Sequence, residues 1–231
     1  MRLGVAFIDI LTGMNAVQAI LAALYARERT GEGQWLDISL LDSGLACLAN
    51  VASGYLNTGS EPGRFGNAHP SIVPYETFQC ADEVTLAVAV GTDEQYRRLC
   101  QNVLEAPGLW EEERYQTNRG RTQHRADLIP ALQRAFARHP STRLVERMRL
   151  HAIPVGAVRS VSAALESAEA RAREVVVTAK GARGNTVRMV RSALRLSGTP
   201  VCAPRAPPAL GEHTAEILAK VSKRESPGTP S

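Results

Sequence analysis

The chain has 231 residues, 44% of them hydrophobic, and a formal net charge of +4 at pH 7. A chain of this length and composition can bury the core of one or two globular domains. Basic and acidic residues alternate along the sequence instead of forming blocks. The charge pattern therefore indicates neither a nucleic-acid-binding patch nor a membrane-surface patch.

The four cysteines, Cys47, Cys80, Cys100 and Cys202, lie far apart and include no Cys-x-x-Cys pair. This spacing argues against a zinc site and against a disulfide framework. It predicts four thiols that are buried in the core of a protein from a reducing compartment.

Neither a signal peptide nor a membrane-spanning helix is predicted. Asp9 interrupts the apolar stretch near the N-terminus, and no small-residue cleavage site follows it. No apolar run approaches the roughly 20 residues that a spanning helix needs. A cytoplasmic location without membrane contact is therefore expected.

Asp9 lies where two apolar patterns meet. Val5–Ile8 is short and apolar like a buried strand, and apolar residues then recur at helical spacing from Ile10 to Arg29. An aspartate at such a junction can accept hydrogen bonds from the first-turn N–H groups, and the helix dipole favours its ionised form. Two interpretations stay open: Asp9 is a helix N-cap, or it is a carboxylate kept anionic for attack on an electrophile.

The next predicted elements alternate between strand and helix, as in an α/β fold. Gly31 is expected to cap the first helix at its C-terminus, a strand is predicted at 34–40, and a helix at 42–56. Residues 57–74 are dense in Gly, Pro, Ser and Asn, which predicts a loop and a boundary. Further elements are predicted in this order: a strand at 85–91, a helix opening at Asp93 as N-cap, helices at 128–138 and 141–151 (the second capped by Ser141), strands at 175–178 and 186–190, and a last helix to 221.

Two features of the middle of the chain have alternative interpretations. His69, in the predicted loop, could contact an acyl carboxylate or carry a proton, but a lone loop histidine is also commonly just solvated. The basic stretch 110–125 could form a phosphate or nucleic-acid patch. Only Trp110 and Tyr115 are nearby for base stacking, so a structural role is favoured.

Several stretches, in the same order, resemble the family III CoA-transferases of the CaiB/BaiF type. This family includes formyl-CoA and carnitine CoA-transferases and the related α-methylacyl-CoA racemases. The similar stretches are Ile8–Met14, Ala22–Gln34, Asp37–Asp42, Gly66–Phe78, Ala152–Gly156 and Pro207–Leu218. The amino-acid sequence of the loop is most similar to that of the branch that moves CoA between dicarboxylates, such as the succinate–hydroxymethylglutarate CoA-transferases.

The resemblance implies an α/β fold that is the C-terminal portion of the family III fold. Its expected parts are a large-domain segment at 1–59, a small α/β domain at 60–160, a return to the Rossmann-like large domain at 161–221 and a disordered tail at 222–231. In the family a long N-terminal portion precedes the catalytic aspartate, so the chain is expected to be part of a longer protein. An interlocked homodimer is the expected assembly.

The resemblance also implies the chemistry. Asp9 corresponds to the catalytic aspartate, the substrates are an acyl-CoA and a small carboxylic acid, and neither a cofactor nor a metal is expected. His69 and Asp93 are the predicted substrate-binding residues, Asp93 because the racemases use an acidic residue near that position. Two alternatives stay open: a racemase in which Asp9 exchanges an α-proton, and an inactive remnant or assembly partner.

Overall fold

The computed structural model describes residues 4–181 and 184–224. The chain separates into two compact units, Met1–Ala157 and Val158–Ser231. The first unit begins with three helices and continues with a three-stranded sheet covered by helices. The second contains a two-stranded sheet and three helices among its described residues. The domain boundaries predicted after residues 59, 160 and 221 stay a prediction.

Three helices open the first unit: α1 at Phe7–Thr30, α2 at Leu40–Cys47 and α3 at Ala49–Thr58. As predicted, α1 ends at Gly31, whose left-handed φ of 78° suits glycine. The amide of Asn15 in α1 donates to the hydroxyl of Ser43 in α2 over 3.0 Å. This hydrogen bond ties the first two helices together.

The strands predicted at 5–8 and 34–40 are wrong. Helix α1 already begins at Phe7, and the N–H of Ile10 donates to the carbonyl of Ala6. Residues 32–39 lie outside any helix or strand in the described structure. A strand needs a partner for its backbone hydrogen bonds, and no described segment pairs with either stretch. The helix predicted at 42–56 is real but is divided into α2 and α3 at Leu48.

Helix α1 exposes apolar side chains along its whole length. Those that are more than 40% exposed are Phe7, Ile10, Met14, Val17, Ile20, Leu21, Leu24 and Tyr25. Contrary to the sequence-based expectation, α1 is long and apolar enough to cross a membrane, by length and composition alone. A core helix of a soluble protein and a signal sequence meet the same criterion. The exposed apolar side chains of α1 form a surface of the kind that binds another apolar surface.

The core of the first unit lies between a sheet and helices. Strands β1 (Tyr75–Gln79), β2 (Thr85–Ala89) and β3 (Val155–Ala157) are antiparallel in the order β1-β2-β3. The covering helical elements are α4 (Asp93–Arg98), a π-helical turn (Leu99–Val103), α5 (Gly108–Glu111), a 3₁₀ turn (Glu113–Tyr115), α6 (Asn118–Gln123), α7 (Arg125–Phe136) and α8 (Ser141–Leu150). Phe78 of β1 stacks on Phe136 of α7 with ring centroids 4.4 Å apart. This contact joins the sheet to the helical layer.

The second unit contains α9 (Val161–Leu165), α10 (Ala168–Ala172), β4 (Val176–Lys180), β5 (Thr186–Val190) and α11 (Thr214–Arg224). The two strands form an antiparallel pair, which confirms the strands predicted at 175–178 and 186–190. Helix α11 extends through the start of the tail predicted to be disordered from 222. The rest of that tail, 225–231, lies outside the described residues.

The cysteines divide into two classes. Cys80 and Cys100 are buried as predicted, and burial raises their pKa values to about 11 and about 12. The same prediction is wrong for Cys47 and Cys202, which are exposed. Cys47 ends α2, a helix in which only Ser43 is buried, so this position offers no core for the thiol to enter.

A buried arginine joins several parts of the first unit. Arg121 of α6 is 0% exposed, and its guanidinium donates to the carbonyls of Val73 (2.6 Å) and Tyr115 (2.9 Å). It also donates to the carboxylate of Asp93 over 2.8 Å and lies 4.5 Å from the ring centroid of Tyr96. The carboxylate of Asp93 thus balances the charge of the buried guanidinium. The guanidinium in turn donates hydrogen bonds to two carbonyls.

Replacing this arginine should destabilise the first unit strongly. Arg121→Met keeps much of the volume but leaves the carbonyls of Val73 and Tyr115 without donors. We expect a loss of about 3–5 kcal/mol in the free energy of unfolding, measured by urea denaturation. The matched control is Arg119→Met on the same helix, where the side chain is exposed, and we expect a change within about 0.5 kcal/mol. Equal effects of the two substitutions would contradict this role.

Helix α8 is capped from a distant part of the chain. The predicted cap, Ser141, lies inside the helix, and the preceding Pro140 offers no side-chain cap. The carboxylate of Asp82 instead accepts hydrogen bonds from the Ser141 hydroxyl (2.7 Å) and backbone N–H (3.0 Å). The hydroxyl bond is the largest cause that holds the pKa of Asp82 below its ordinary value of 3.8.

This cap predicts an acid-sensitive contribution to stability. A lowered pKa means that the contribution of Asp82 is fully present above pH 3.8 and is lost as the pH falls through the lowered pKa. We expect Asp82→Ala to lower the urea midpoint by a constant amount at neutral pH, and the difference from wild type to vanish in acid. Glu146→Ala, which removes an exposed carboxylate from α8 itself, is the control and should show no such convergence. A difference that persists in acid below the lowered pKa of Asp82 would argue against the cap.

Candidate active site

Asp9 lies in the first turn of α1, two residues after the first helical residue, Phe7. The N-cap interpretation is wrong, because Ala6 holds that position and makes no side-chain hydrogen bond to the helix. The first-turn N–H groups therefore have no side-chain cap, and the positive end of the helix dipole favours a negative charge at this place. The predicted position of Asp9 at a helix start is confirmed, whereas its catalytic role stays a prediction.

The described residues leave the Asp9 side chain exposed. Phe7 and Ile10 beside it are also exposed, by 42% and 54%. The nearest polar groups along the helix are engaged elsewhere: the Thr12 hydroxyl donates to the carbonyl of Ile8, and the Asn15 amide donates to Ser43. Apolar side chains next to Asp9 in the sequence are thus exposed, and the described residues do not enclose its carboxylate in a dry pocket.

The predicted loop around His69 has a fixed internal geometry. His69 Nδ1 accepts hydrogen bonds from the backbone N–H groups of Ser71 (3.2 Å) and Ile72 (3.1 Å). The backbone N–H of His69 donates to the carbonyl of Tyr75 over 2.8 Å, and the two rings stack with centroids 5.2 Å apart. His69 is half-buried and therefore is not a freely solvated loop histidine.

Side chains of α6 and α7 form hydrogen bonds with the backbone of this loop. The Asn118 amide accepts from the N–H of Val73 (3.0 Å) and donates to the carbonyl of Ser71 (2.8 Å). Arg125 donates to the carbonyl of His69 over 2.6 Å. Together with Arg121, these side chains confirm that the basic stretch has a structural role. The contacts of Asn118 and Arg125 were not predicted from the sequence, because their partners Ser71 and His69 lie 47 and 56 residues earlier in the chain.

Arg125 also influences a carboxyl group at the start of the sheet. Glu76, in β1, is partly buried, and this burial raises the pKa of its carboxyl group, while the charge of Arg125 opposes the rise. Positive charge is therefore present beside the His69 loop even though the guanidinium is already hydrogen-bonded to backbone carbonyls.

Asp93 is the first residue of α4, and the preceding Thr92 is the N-cap of this helix. The Thr92 hydroxyl accepts from the N–H of Gln95 over 3.1 Å and so caps α4, which corrects the predicted N-cap. The Asp93 carboxylate accepts from Arg121, and its side chain is 49% exposed. A substrate-binding role for Asp93 stays a prediction, and the ion pair gives the residue a structural role as well.

The contacts connect only some of the predicted site residues. Arg121 joins Asp93 to the loop that contains His69 through the carbonyl of Val73. No hydrogen bond or ion pair among the described residues joins Asp9 to either of them. Within the same part of the chain, no group of three or more His, Cys, Asp or Glu side chains is placed to hold a metal.

The sequence matches the family described as CoA-transferase family III over residues 1–214. It is 38% identical over 230 residues to a succinate–glutarate CoA-transferase of Agrobacterium fabrum, an alignment that covers 100% of this chain and 57% of that protein. It is 34% identical over 220 residues to a succinyl-CoA:glutarate CoA-transferase of Mus musculus, covering 95% of this chain and 50% of the other. The chain spans about half the length of the curated relatives it matches.

The fold agrees with these relationships. The crystal structure of a CAIB/BAIF family protein from Brucella suis superimposes with a TM-score of 0.76 at 34% sequence identity, covering 96% of this chain and 57% of that one. The predicted α/β fold class is thereby confirmed. By sequence and by fold, the chain belongs to CoA-transferase family III.

Proposed function

We propose that this chain takes part in the transfer of CoA from an acyl-CoA to a small carboxylic acid, with Asp9 as the acyl acceptor. The observation that carries the proposal is a carboxylate in the uncapped first turn of α1, within the region that matches the family. The relatives named for succinate, succinyl-CoA and glutarate support a dicarboxylic acid as the acceptor.

The first half of the proposed reaction transfers the acyl group to the protein. A carboxylate oxygen of Asp9 attacks the thioester carbonyl, the carbon–sulfur bond breaks, and CoA leaves as the thiolate. The product is a mixed anhydride between Asp9 and the donor acid. The thiolate then attacks the Asp9 side of the anhydride, which releases the donor acid and leaves a thioester between Asp9 and CoA.

The second half repeats these steps with the acceptor. A carboxylate oxygen of the acceptor acid attacks the Asp9 thioester, and the thiolate leaves again. It then attacks the acceptor side of the new anhydride, which yields the acceptor thioester and restores Asp9. The helix dipole favours the carboxylate that starts and ends the cycle. CoA is a substrate throughout, and these steps require no metal or redox group.

The proposed reaction also requires that Asp9 be shielded from water. The apolar side chains of α1, together with exposed Leu40, Leu41 and Leu45 of α2, form a surface of the kind that binds another part of a protein. We propose that polypeptide equivalent to the part of the relatives that this chain does not span covers this surface. The interlocked homodimer expected from the family resemblance and a cytoplasmic location belong to the same proposal.

Asp9→Asn should abolish transfer, because an amide is not a nucleophile towards a thioester. We expect the rate of CoA transfer from succinyl-CoA to glutarate to fall roughly 10³-fold or more, as for other removed nucleophiles. The rate is measured by chromatographic separation of the two thioesters. The chain is assayed alone and together with polypeptide corresponding to the unmatched part of the relatives.

Asp42→Asn is the matched control, because Asp42 is also an exposed aspartate in the first turn of a helix. It should keep the wild-type rate. Hydroxylamine added with succinyl-CoA should form a hydroxamate at position 9 in the wild type and none in Asp9→Asn. Transfer that survives Asp9→Asn would overturn the assignment. Exchange of an α-hydrogen of an acyl-CoA with solvent deuterium, without transfer to an acid, would instead indicate the racemase.

A further inference from the structure

We propose that the two ring nitrogens of His69 have separate tasks: Nδ1 holds the loop, and Nε2–H donates a hydrogen bond to the non-reacting carboxylate of a dicarboxylic substrate. This inference rests on the proposed function and deepens it by assigning a residue to acid recognition. His69 would be a binding residue, whereas Asp9 carries the covalent step.

The hydrogen bonds of the loop determine the tautomer. Nδ1 lies 3.2 Å from the backbone nitrogen of Ser71 and 3.1 Å from that of Ile72, and both of these groups are donors. An imidazole nitrogen that accepts hydrogen bonds carries no proton, so the proton of the neutral ring is on Nε2. The outer nitrogen of His69 is therefore a donor.

The loop also determines where this donor lies. The backbone N–H of His69 is bonded to Tyr75, its carbonyl is bonded to Arg125, and its ring stacks on the Tyr75 ring at an interplanar angle of 10°. The two backbone contacts fix the position of the residue, and the stacking on Tyr75 together with the two Nδ1 hydrogen bonds fixes the imidazole before any ligand arrives. A donor that is already oriented loses less conformational entropy on binding. Among the described residues, Nε2 has no hydrogen-bond partner, and the side chain is only half-buried.

A carboxylate is the acceptor that suits this position. An ionised oxygen forms the stronger, charge-assisted type of hydrogen bond with an N–H donor, and the nearby Arg125 charge favours an anion. The reacting carboxylate must keep its lone pairs for attack on the acyl group, so a strong donor there would hinder the reaction. The second carboxylate of a dicarboxylic acid has no such requirement.

The first test examines the tautomer and the ligand in the full chain by NMR. Long-range ¹H–¹⁵N spectra at about pH 8, where an ordinary histidine is neutral, should show His69 protonated at Nε2 and unprotonated at Nδ1. Its signals are assigned by their absence in His69→Asn. Glutarate should shift the Nε2–H resonance, and the neutral diamide of glutaric acid should not. A proton on Nδ1, or no shift with glutarate, would overturn the proposal.

The second test separates the two nitrogens by substitution. Asn places an acceptor near the position of Nδ1 and lacks the outer donor, whereas Gln reaches the position of Nε2 and lacks the inner acceptor. In His69→Asn, amide exchange at Ser71 and Ile72 should stay slow, and glutarate binding should weaken roughly tenfold to a hundredfold. In His69→Gln, exchange at these amides should become faster. His213→Asn, in the second unit, is the control and should change neither.

A purely structural histidine would give a different result. His69→Asn would then bind glutarate as the wild type does, and the inference would fail while the proposed function stood if Asp9-dependent transfer persisted. Conversely, glutarate binding that depends on Nε2–H in a protein without Asp9-dependent transfer would refute the proposed function alone. The two proposals are therefore tested independently.

Discussion

The buried guanidinium of Arg121 is the interaction on which the first unit depends. It brings together a loop, a 3₁₀ turn and the start of α4, by hydrogen bonds to Val73, Tyr115 and Asp93. A charge without exposure to water is stable only when its donors are satisfied and a counter-charge is near. Val73 and Asp93 lie 48 and 28 residues from Arg121 in the sequence, so the guanidinium fixes the relative positions of segments that are distant along the chain.

The geometry of the candidate binding loop follows from this arrangement. Arg121 donates a hydrogen bond to the carbonyl of Val73, and Arg125 donates one to the carbonyl of His69. Asn118 forms hydrogen bonds with the backbone on both sides of Ile72. Two side chains of α6 and the first residue of α7 thus shape the loop, and one of them, Arg121, also stabilises the core. Under the proposed role of His69, a substitution of one of these side chains would weaken acid binding without a contact to the ligand, because the imidazole would lose its fixed orientation.

Local patterns predicted the elements that need only local partners. The strand pair of the second unit, α7, and the Gly31 end of α1 agree with periodicity and turn chemistry. The errors concern partners that local sequence does not contain. The apolar run 5–8 has the composition of a strand, yet no strand pairs with it among the described residues, and Asp82 caps a helix 59 residues away. The Asn118 and Arg125 contacts with the His69 loop were missed for the same reason.

Asp9 shows how assembly and chemistry are connected. Its place in the first turn is a local property and was predictable, whereas the dry environment that the proposed nucleophilic attack requires depends on what covers α1. The exposed apolar side chains of the same helix, such as Phe7 and Ile10, are the ones that favour covering it. A single event, the burial of the α1 surface, would therefore stabilise the fold and strengthen the electrostatic effect of the helix N-terminus on the carboxylate, because both effects increase as water is excluded.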